Sequence, residues 1–301
     1  MRLTRILIFI GLILGLICVP IFIYKKDQTT KNANFAAVKR ELSQNTEVTP
    51  TVSPSISPTA SPSATPTPKP MTLAEMNQLY GPCASVPVLM FHHVEDLDAA
   101  KKEGHLSLTV GIEYFKKDLD YLKNKGYSII GPTDLIAFFD NGTPLPTKPV
   151  MLTFDDGYAD NGTEMYQAML AAGAKGTIFT PTGLLNNPGY LDWDKIREMA
   201  GSGLFSFGNH TWSHRNVGAS ASIVENEITT ADTQLAQQGL NNPKIFAYPY
   251  GLESANATKD LNKLGYKLAF TTVNGRMQCA KKRFDLPRVR IGNASLSAYG
   301  L

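Results

Sequence analysis

The chain has 301 residues, 43% of them apolar and 18% charged, with a net charge of +3. That length exceeds one average domain, and the weak, unclustered charge excludes a protein that binds nucleic acid through a basic stripe. The three cysteines are too far apart for a zinc ribbon.

The first segment reads as a membrane anchor. Arg2 and Arg5 precede Ile6 to Tyr24, nineteen residues without a charge, and Lys25 and Lys26 follow. At 1.5 Å per residue a helix of that length covers roughly 28 Å, about one hydrocarbon core. No small-x-small cleavage site stands at its end, and the bulky Ile17 before Cys18 argues against lipoprotein processing. Basic residues flank both sides, so charge alone leaves the orientation open. A linker follows over residues 27–80. It carries prolines at 50, 54, 58, 62, 66, 68 and 70 among serines and threonines. Such a stretch tends to polyproline II and extends to about 65 Å over its twenty-one Pro-rich residues. It serves equally as a spacer or as a tail without a task.

Without the four basic residues of the anchor, 25 basic residues stand against 26 acidic ones. Cys83 and Cys279 lie near the two ends of the remaining segment. Exported proteins form disulfides, and a bridge or two buried thiols both fit. Asn-x-Ser/Thr sequons occur at Asn141, Asn161, Asn209, Asn256 and Asn293. Asn209 adjoins a histidine pair where a glycan would obstruct. With the small anchor and simple linker this favours a bacterial surface protein, of Gram-positive type, with the folded domain outside the cell. Nothing in the composition calls for a partner chain, so a monomer is expected.

From residue 81 to 301 strands and helices alternate. Strand-like runs fall at 86–94, 127–130, 150–154, 176–180, 204–207, 244–248, 266–273 and 288–291. Helical spacing fills 111–125, 133–140, 162–172, 193–200, 220–238 and 255–264. This pattern implies an α/β fold with a parallel sheet. We read it as a deformed (β/α) barrel of seven or eight strands, with an open doubly wound sheet as second choice. No Gly-x-Gly-x-x-Gly follows the first strand to support a dinucleotide site.

The chemistry concentrates at strand ends. The apolar run ending at Phe154 meets Asp155, Asp156 and Gly157. Charged carboxylates at such a place must be paired, metal-bound or hydrated. Adjacent strand residues face opposite ways, so the two aspartates are expected to do different jobs. Asp-Asp-Gly alone is common turn chemistry. The run from Phe205 ends in His210 and His214, four apart. Two histidines and a carboxylate suit zinc or a similar divalent ion and leave positions open for water and substrate.

Thr-Phe-Asp-Asp-Gly at 153–157 and His-Thr-x-x-His at 210–214 resemble the first two motifs of the polysaccharide deacetylases, the NodB-homology or carbohydrate esterase family 4 proteins. Trp193 to His214 has that family's run into the histidine motif, and Tyr248-Pro249-Tyr250-Gly251 resembles its third motif. The resemblance covers about residues 85–292. It implies a deformed barrel, one divalent metal (usually zinc) and hydrolysis of acetyl groups on an acetylated polysaccharide. By position, it makes Asp156, His210 and His214 the metal ligands and Asp155 the general base. It also makes Tyr250 the donor of a backbone N–H to the oxyanion.

Two departures stand out. The family's third motif carries an arginine where this chain has Ala247, and its late Leu-x-His, the source of the acid, is missing: no histidine follows His214. Met90 to Asp96 resembles the N-terminal Tyr-His-x-Val motif of a subgroup that includes the deacetylases of poly-N-acetylglucosamine. That resemblance makes His92 the catalytic acid; strand alternation then points His93 to the other face. Arg288 or Arg290 near the last strand is the expected substitute orienter of Asp155; a surface salt bridge is the plainer reading. The expected activity is removal of acetyl groups, N-acetyl foremost, from an extracellular or cell-wall polysaccharide. An inactive carbohydrate-binding domain, an O-acetyl xylan esterase and a hydrolase of other amides remain as alternatives.

Overall fold

A computed structural model describes residues 71–301. The anchor read at 6–24 and the Pro-rich linker up to residue 70 lie outside the described residues. Among the described residues no helix is long and apolar enough to cross a membrane. The described residues form one compact unit from residue 71 onward. Residues 71–80, which composition assigns to the linker, therefore belong to the folded part. Leu73–Tyr80 forms helix α1. The Thr72 hydroxyl accepts from the Glu75 amide at 3.3 Å while the Glu75 carboxylate accepts from the Thr72 amide at 2.7 Å. This reciprocal cap satisfies two amides that a short helix would otherwise leave open.

Strands β1 (Cys83–Ser85), β2 (Val88–Phe91) and β3 (His93–Glu95) follow, then α2 (Leu97–Glu103) and β4 (Thr109–Gly111). The run read as one strand over 86–94 breaks at His92. β3 leaves the main sheet there and pairs with β4. Helix α3 (Ile112–Asn124), β5 (Ser128–Ile129), α4 (Pro132–Asn141), β6 (Pro149–Phe154), α5 (Glu164–Ala172) and β7 (Gly176–Thr180) come next. The chain continues through α6 (Trp193–Gly201), β8 (Phe205–Asn209), α7 (Ala221–Gln237), β9 (Ile245–Ala247) and α8 (Ala255–Lys263). It finishes with β10 (Leu268–Asn274), β11 (Met277–Cys279) and β12 (Leu286–Arg290).

Strands β2, β6, β7, β8, β9, β10 and β12 are all parallel, and β12 returns to pair with β2. The sheet therefore closes into a seven-strand barrel. β5 pairs only with the first residues of β6. The register between β10 and β12 slips between Phe270 and Asn274, and β8 meets β9 at a single pair, Asn209 with Phe246. The expected barrel is thus present, deformed at these two seams, and the open sheet is excluded by the β2–β6 pairing.

Alternation along the strands sorts the layers. Val150, Leu152 and Phe154 of β6 pack outward with Phe115 of α3 and Met165 and Met169 of α5. Met151 belongs to the interior with Val88, Phe179, Phe270 and Leu286. Thr153 follows it on the inner face, its hydroxyl donating to the Leu89 carbonyl at 2.8 Å. Because every barrel strand runs the same way, all their C-terminal ends open on one rim.

Outside the barrel, β1 and β11 pair antiparallel and place Cys83 opposite Cys279, where they form a disulfide. Of the two readings open in the sequence, the bridge is the one present. It closes a loop of 196 residues. A cross-link of that span stabilises chiefly by restricting the unfolded chain. Cys83→Ser is expected to lower unfolding free energy by about 2–5 kcal/mol, read as a lower denaturant midpoint. An unchanged midpoint would mean that the β1–β11 pair holds the ends without the bridge.

Candidate active site

Five strand ends supply the rim. β6 runs into Asp155, whose amide still donates to the Phe91 carbonyl of β2 at 3.0 Å. Asp155 therefore continues the inward side of the strand, after Met151 and Thr153. Its carboxylate meets Arg288, the inward residue of β12. Nη1 donates to Oδ1 at 2.7 Å and Nη2 to Oδ2 at 2.6 Å. Arg288 is fully buried; its Nε donates to the Thr271 carbonyl at 2.9 Å, and its guanidinium lies 5.9 Å from the Phe179 ring centre. Burial alone would raise the Asp155 pKa. The guanidinium outweighs it and holds the carboxyl below its usual range. Arg290, the other candidate, is exposed at the cleft edge, with its guanidinium 3.4 Å from the Ser107 carbonyl.

Asp156 turns away from Asp155, but not by the pleat of a strand. Its φ of 72° is left-handed, so the backbone swings its side chain toward the end of β8. There Asp156 Oδ1 lies 3.3 Å from His210 Nε2 and 3.0 Å from His214 Nε2. It is nonetheless a buried oxygen without a hydrogen bond. The three atoms approach one another as ligands around a common centre do. The Nδ1 of His210 donates to the Ala247 carbonyl at 2.7 Å, which leaves Nε2 with its lone pair toward Asp156. A divalent ion fits this set: one carboxylate oxygen and two imidazole nitrogens, all mutually within 4.8 Å. Without such an ion, burial opposes the charged His210 ring, yet the Asp156 carboxylate keeps its pKa raised. A ligating imidazole must give up that proton to the metal.

The histidine pair sits on a loop, not a helix. Thr211 and His214 both have left-handed φ, 64° and 58°. Asn209, fully buried, secures the start of the loop. Its Oδ1 accepts from the Thr211 amide at 2.7 Å, and its Nδ2 donates to the Ile228 carbonyl at 3.0 Å. Glu227 of α7 secures the end, accepting from the Ser213 amide at 2.7 Å and from its hydroxyl at 2.6 Å. Removing such a support misplaces the ligand beside it. Glu227→Ala is expected to weaken zinc binding about 10–100-fold, measured by competition with a chromogenic chelator. Unchanged affinity would show that His214 holds its place without Glu227.

His92 follows β2 and is partly buried, its carbonyl accepting from Asn161 Nδ2 at 3.0 Å. Burial lowers its pKa, and the carboxylates of Asp155 and Asp156 offset only part of that. His93 faces elsewhere: it is buried, with Nδ1 2.8 Å from Asp160 Oδ1 and its ring stacked on Tyr158 at 3.6 Å. Tyr250 has a left-handed φ of 63° and packs edge-on to His214, ring centres 4.8 Å apart. Gly251 after it is required: a Cβ there would lie 1.8 Å from Thr272 Oγ1.

These side chains line one cleft of about 500 Å³, which His92, Asp155, Asp156, His210, His214 and Tyr250 share with Tyr158 and Arg290. A larger hollow of about 630 Å³ between α3 and α5 contains none of them. The structure thus brings together every residue singled out in the sequence at the strand ends. Asn209, Asn161, Tyr158 and Glu227 were missed. The first two were visible only as sequons, and Glu227 only as one acid on a long helix.

A family model described as polysaccharide deacetylase matches residues 142–269. Residues 142–269 thus carry the polysaccharide deacetylase pattern, and the relatives below extend that similarity over most of the described chain. The chain is therefore a hydrolase of acetylated polysaccharide that acts on carbon–nitrogen bonds. It is 27% identical over 219 residues to YxkH of Bacillus subtilis, whose own assignment as a polysaccharide deacetylase is provisional. That match covers 72% of this chain and 75% of the relative. It is 26% identical over 249 residues to the poly-beta-1,6-N-acetyl-D-glucosamine N-deacetylase of Escherichia coli, covering 68% of this chain but only 36% of that protein. Among solved structures, the Streptococcus pyogenes deacetylase PplD in complex with acetate superimposes with a TM-score of 0.66 at 28% identity. The match covers 72% of this chain and 96% of that one.

Proposed function

We propose that this deacetylase removes N-acetyl groups from an N-acetylglucosamine polymer outside the cell, using one divalent ion, zinc, held by Asp156, His210 and His214. The observation that carries the reading is the single cleft in which Asp155 and His92 flank that ligand set. Relatives named poly-beta-1,6-N-acetyl-D-glucosamine N-deacetylase in Escherichia coli and Staphylococcus epidermidis support the substrate class. The disulfide favours an oxidising compartment, in keeping with an anchor at 6–24 and a spacer behind it.

Bound at the three ligands, the ion supplies Lewis acidity toward the acetyl carbonyl and toward water. Asp155, held ionised and oriented by Arg288, takes the proton of the attacking water. As the carbonyl carbon becomes tetrahedral, its oxygen gains negative charge, and the Tyr250 N–H donates to it. The C–N bond then breaks, and His92 delivers a proton to the departing amine. Acetate and a free amino sugar result, so water's atoms are fully accounted for.

The test is release of acetate and appearance of primary amine from poly-β-1,6-N-acetylglucosamine, acetylated xylan and peptidoglycan. Stoichiometric acetate and amine from the first supports the proposal. Acetate without amine, from xylan alone, would make the chain an O-acetyl esterase, and no acetate from any polymer would leave a binding domain.

A further inference from the structure

His93 and His105 lie apart from the Asp156–His210–His214 group and form a second cluster with two carboxylates. β3 places His93 and Glu95, two residues apart, on one side of the strand. Helix α2 ends at Gly104, whose φ of 84° reverses the chain. His105 then lies over His93, the rings parallel within 7° and their centres 4.0 Å apart. His93 Nδ1 is 2.8 Å from Asp160 Oδ1 and 3.8 Å from Glu95 Oε1, and His105 Nε2 contacts the same Glu95 oxygen. One donor atom each from His93, Glu95 and His105 falls within a 4.8 Å span.

The charge balance of this cluster is incomplete. The side chains of Glu95 and Asp160 are 19% and 14% exposed. Among the described residues neither has a lysine or arginine partner. Asp160 accepts from the Val94 amide at 2.7 Å, whereas Glu95 has only the two imidazoles beside it, and a carboxylate so far withdrawn from water calls for positive charge or metal. Two imidazolium rings stacked 4.0 Å apart would repel each other, whereas one divalent ion supplies both charges at a single point.

We propose that His93, Glu95 and His105, with Asp160 as a fourth donor, form a second divalent-metal site. Two imidazoles and carboxylate oxygens suit zinc, cobalt, nickel or copper better than calcium or magnesium. Two parallel rings cannot both aim a lone pair at one ion between them, so one must turn. His105 is the one free to do so, with a side chain 20% exposed against 9% for His93, on the turn after Gly104. The site stands behind the cleft. His93 stacks on Tyr158, and Tyr158 lines the cleft beside Asp156. An ion there braces the wall of the cleft without touching substrate.

The test is a metal count on the purified full chain, stripped by chelator, dialysed against zinc and measured by plasma mass spectrometry. Cobalt is used in parallel for its visible spectrum. Wild type is expected to hold two ions per chain, and His105→Ala and Glu95→Gln one each. The cobalt bands of the second site are expected to vanish in both variants. Two ions in His105→Ala, or a wild-type count that His105→Ala leaves unchanged at one, overturns the proposal. Glu95→Gln, which keeps the side-chain volume, decides the matter if His105→Ala does not fold. His210→Ala, counted separately, tests the Asp156 set: a loss of one ion there supports that set, whatever His105→Ala shows.

Discussion

Asp155→Asn is expected to lower turnover about 10²–10⁴-fold while leaving metal content unchanged. An amide keeps the shape of the carboxylate but cannot take a proton from water. The proposed ligand set of Asp156, His210 and His214 does not include Asp155, so the ion should stay. The dependence on Arg288 follows from the paired bonds of 2.7 and 2.6 Å between two buried groups. Arg288→Lys keeps the charge but presents a single point where the guanidinium offers a fork. With less compensation, burial raises the Asp155 pKa. The base is then protonated at higher pH, so the acid-side limb of kcat/KM moves upward in Arg288→Lys relative to wild type. A variant that lost activity equally at all pH values would reduce Arg288 to a packing residue. Near-wild-type turnover in Asp155→Asn would remove the base role altogether.

The barrel was legible because its signal is local. Each strand and helix announces itself by period, and the alternation of the two implies parallel pairing. The C-terminal strand ends then gathered Asp155, Asp156, His210, His214 and Tyr250 by topology alone. What could not be read was pairing across long separations. Nothing near Cys83 says that it meets Cys279, 196 residues away, across an antiparallel bridge. The choice between Arg288 and Arg290, which share one face of β12, needed their depth: Arg288 is buried below the rim and Arg290 is exposed at the cleft edge. The helix Leu73–Tyr80 was hidden by the Pro-rich stretch before it, although Thr72 and Glu75 carry its cap. The divergence of Asp155 and Asp156 was expected for the wrong local reason. The pleat ends at Phe154, and a left-handed φ at Asp156 does the work.

His92→Ala is expected to lower turnover about 10²–10⁴-fold, with the divalent ion retained and with poly-N-acetylglucosamine still bound. Residues 215–301 contain no histidine, so the late acid that the resemblance implies has no counterpart among them. The leaving amine still needs one. His92 lines the same cleft as Asp155, at the adjoining end of β2. As the acid, it works only while protonated. Burial lowers its pKa below the usual 6.5, and Arg288 and Arg290 push the same way, against the pull of Asp155 and Asp156. The protonated fraction therefore falls as pH rises through a value below 6.5, and kcat/KM should fall with it. That descending limb is expected to disappear in His92→Ala, which no purely structural role would produce. His93 provides the control. It stands outside the cleft, beside Asp160 and the Tyr158 ring, so His93→Ala should cost far less turnover and keep the limb. Equal losses in the two variants would make the pair structural, and loss of the ion at Asp156 in His92→Ala would make His92 a ligand instead of an acid.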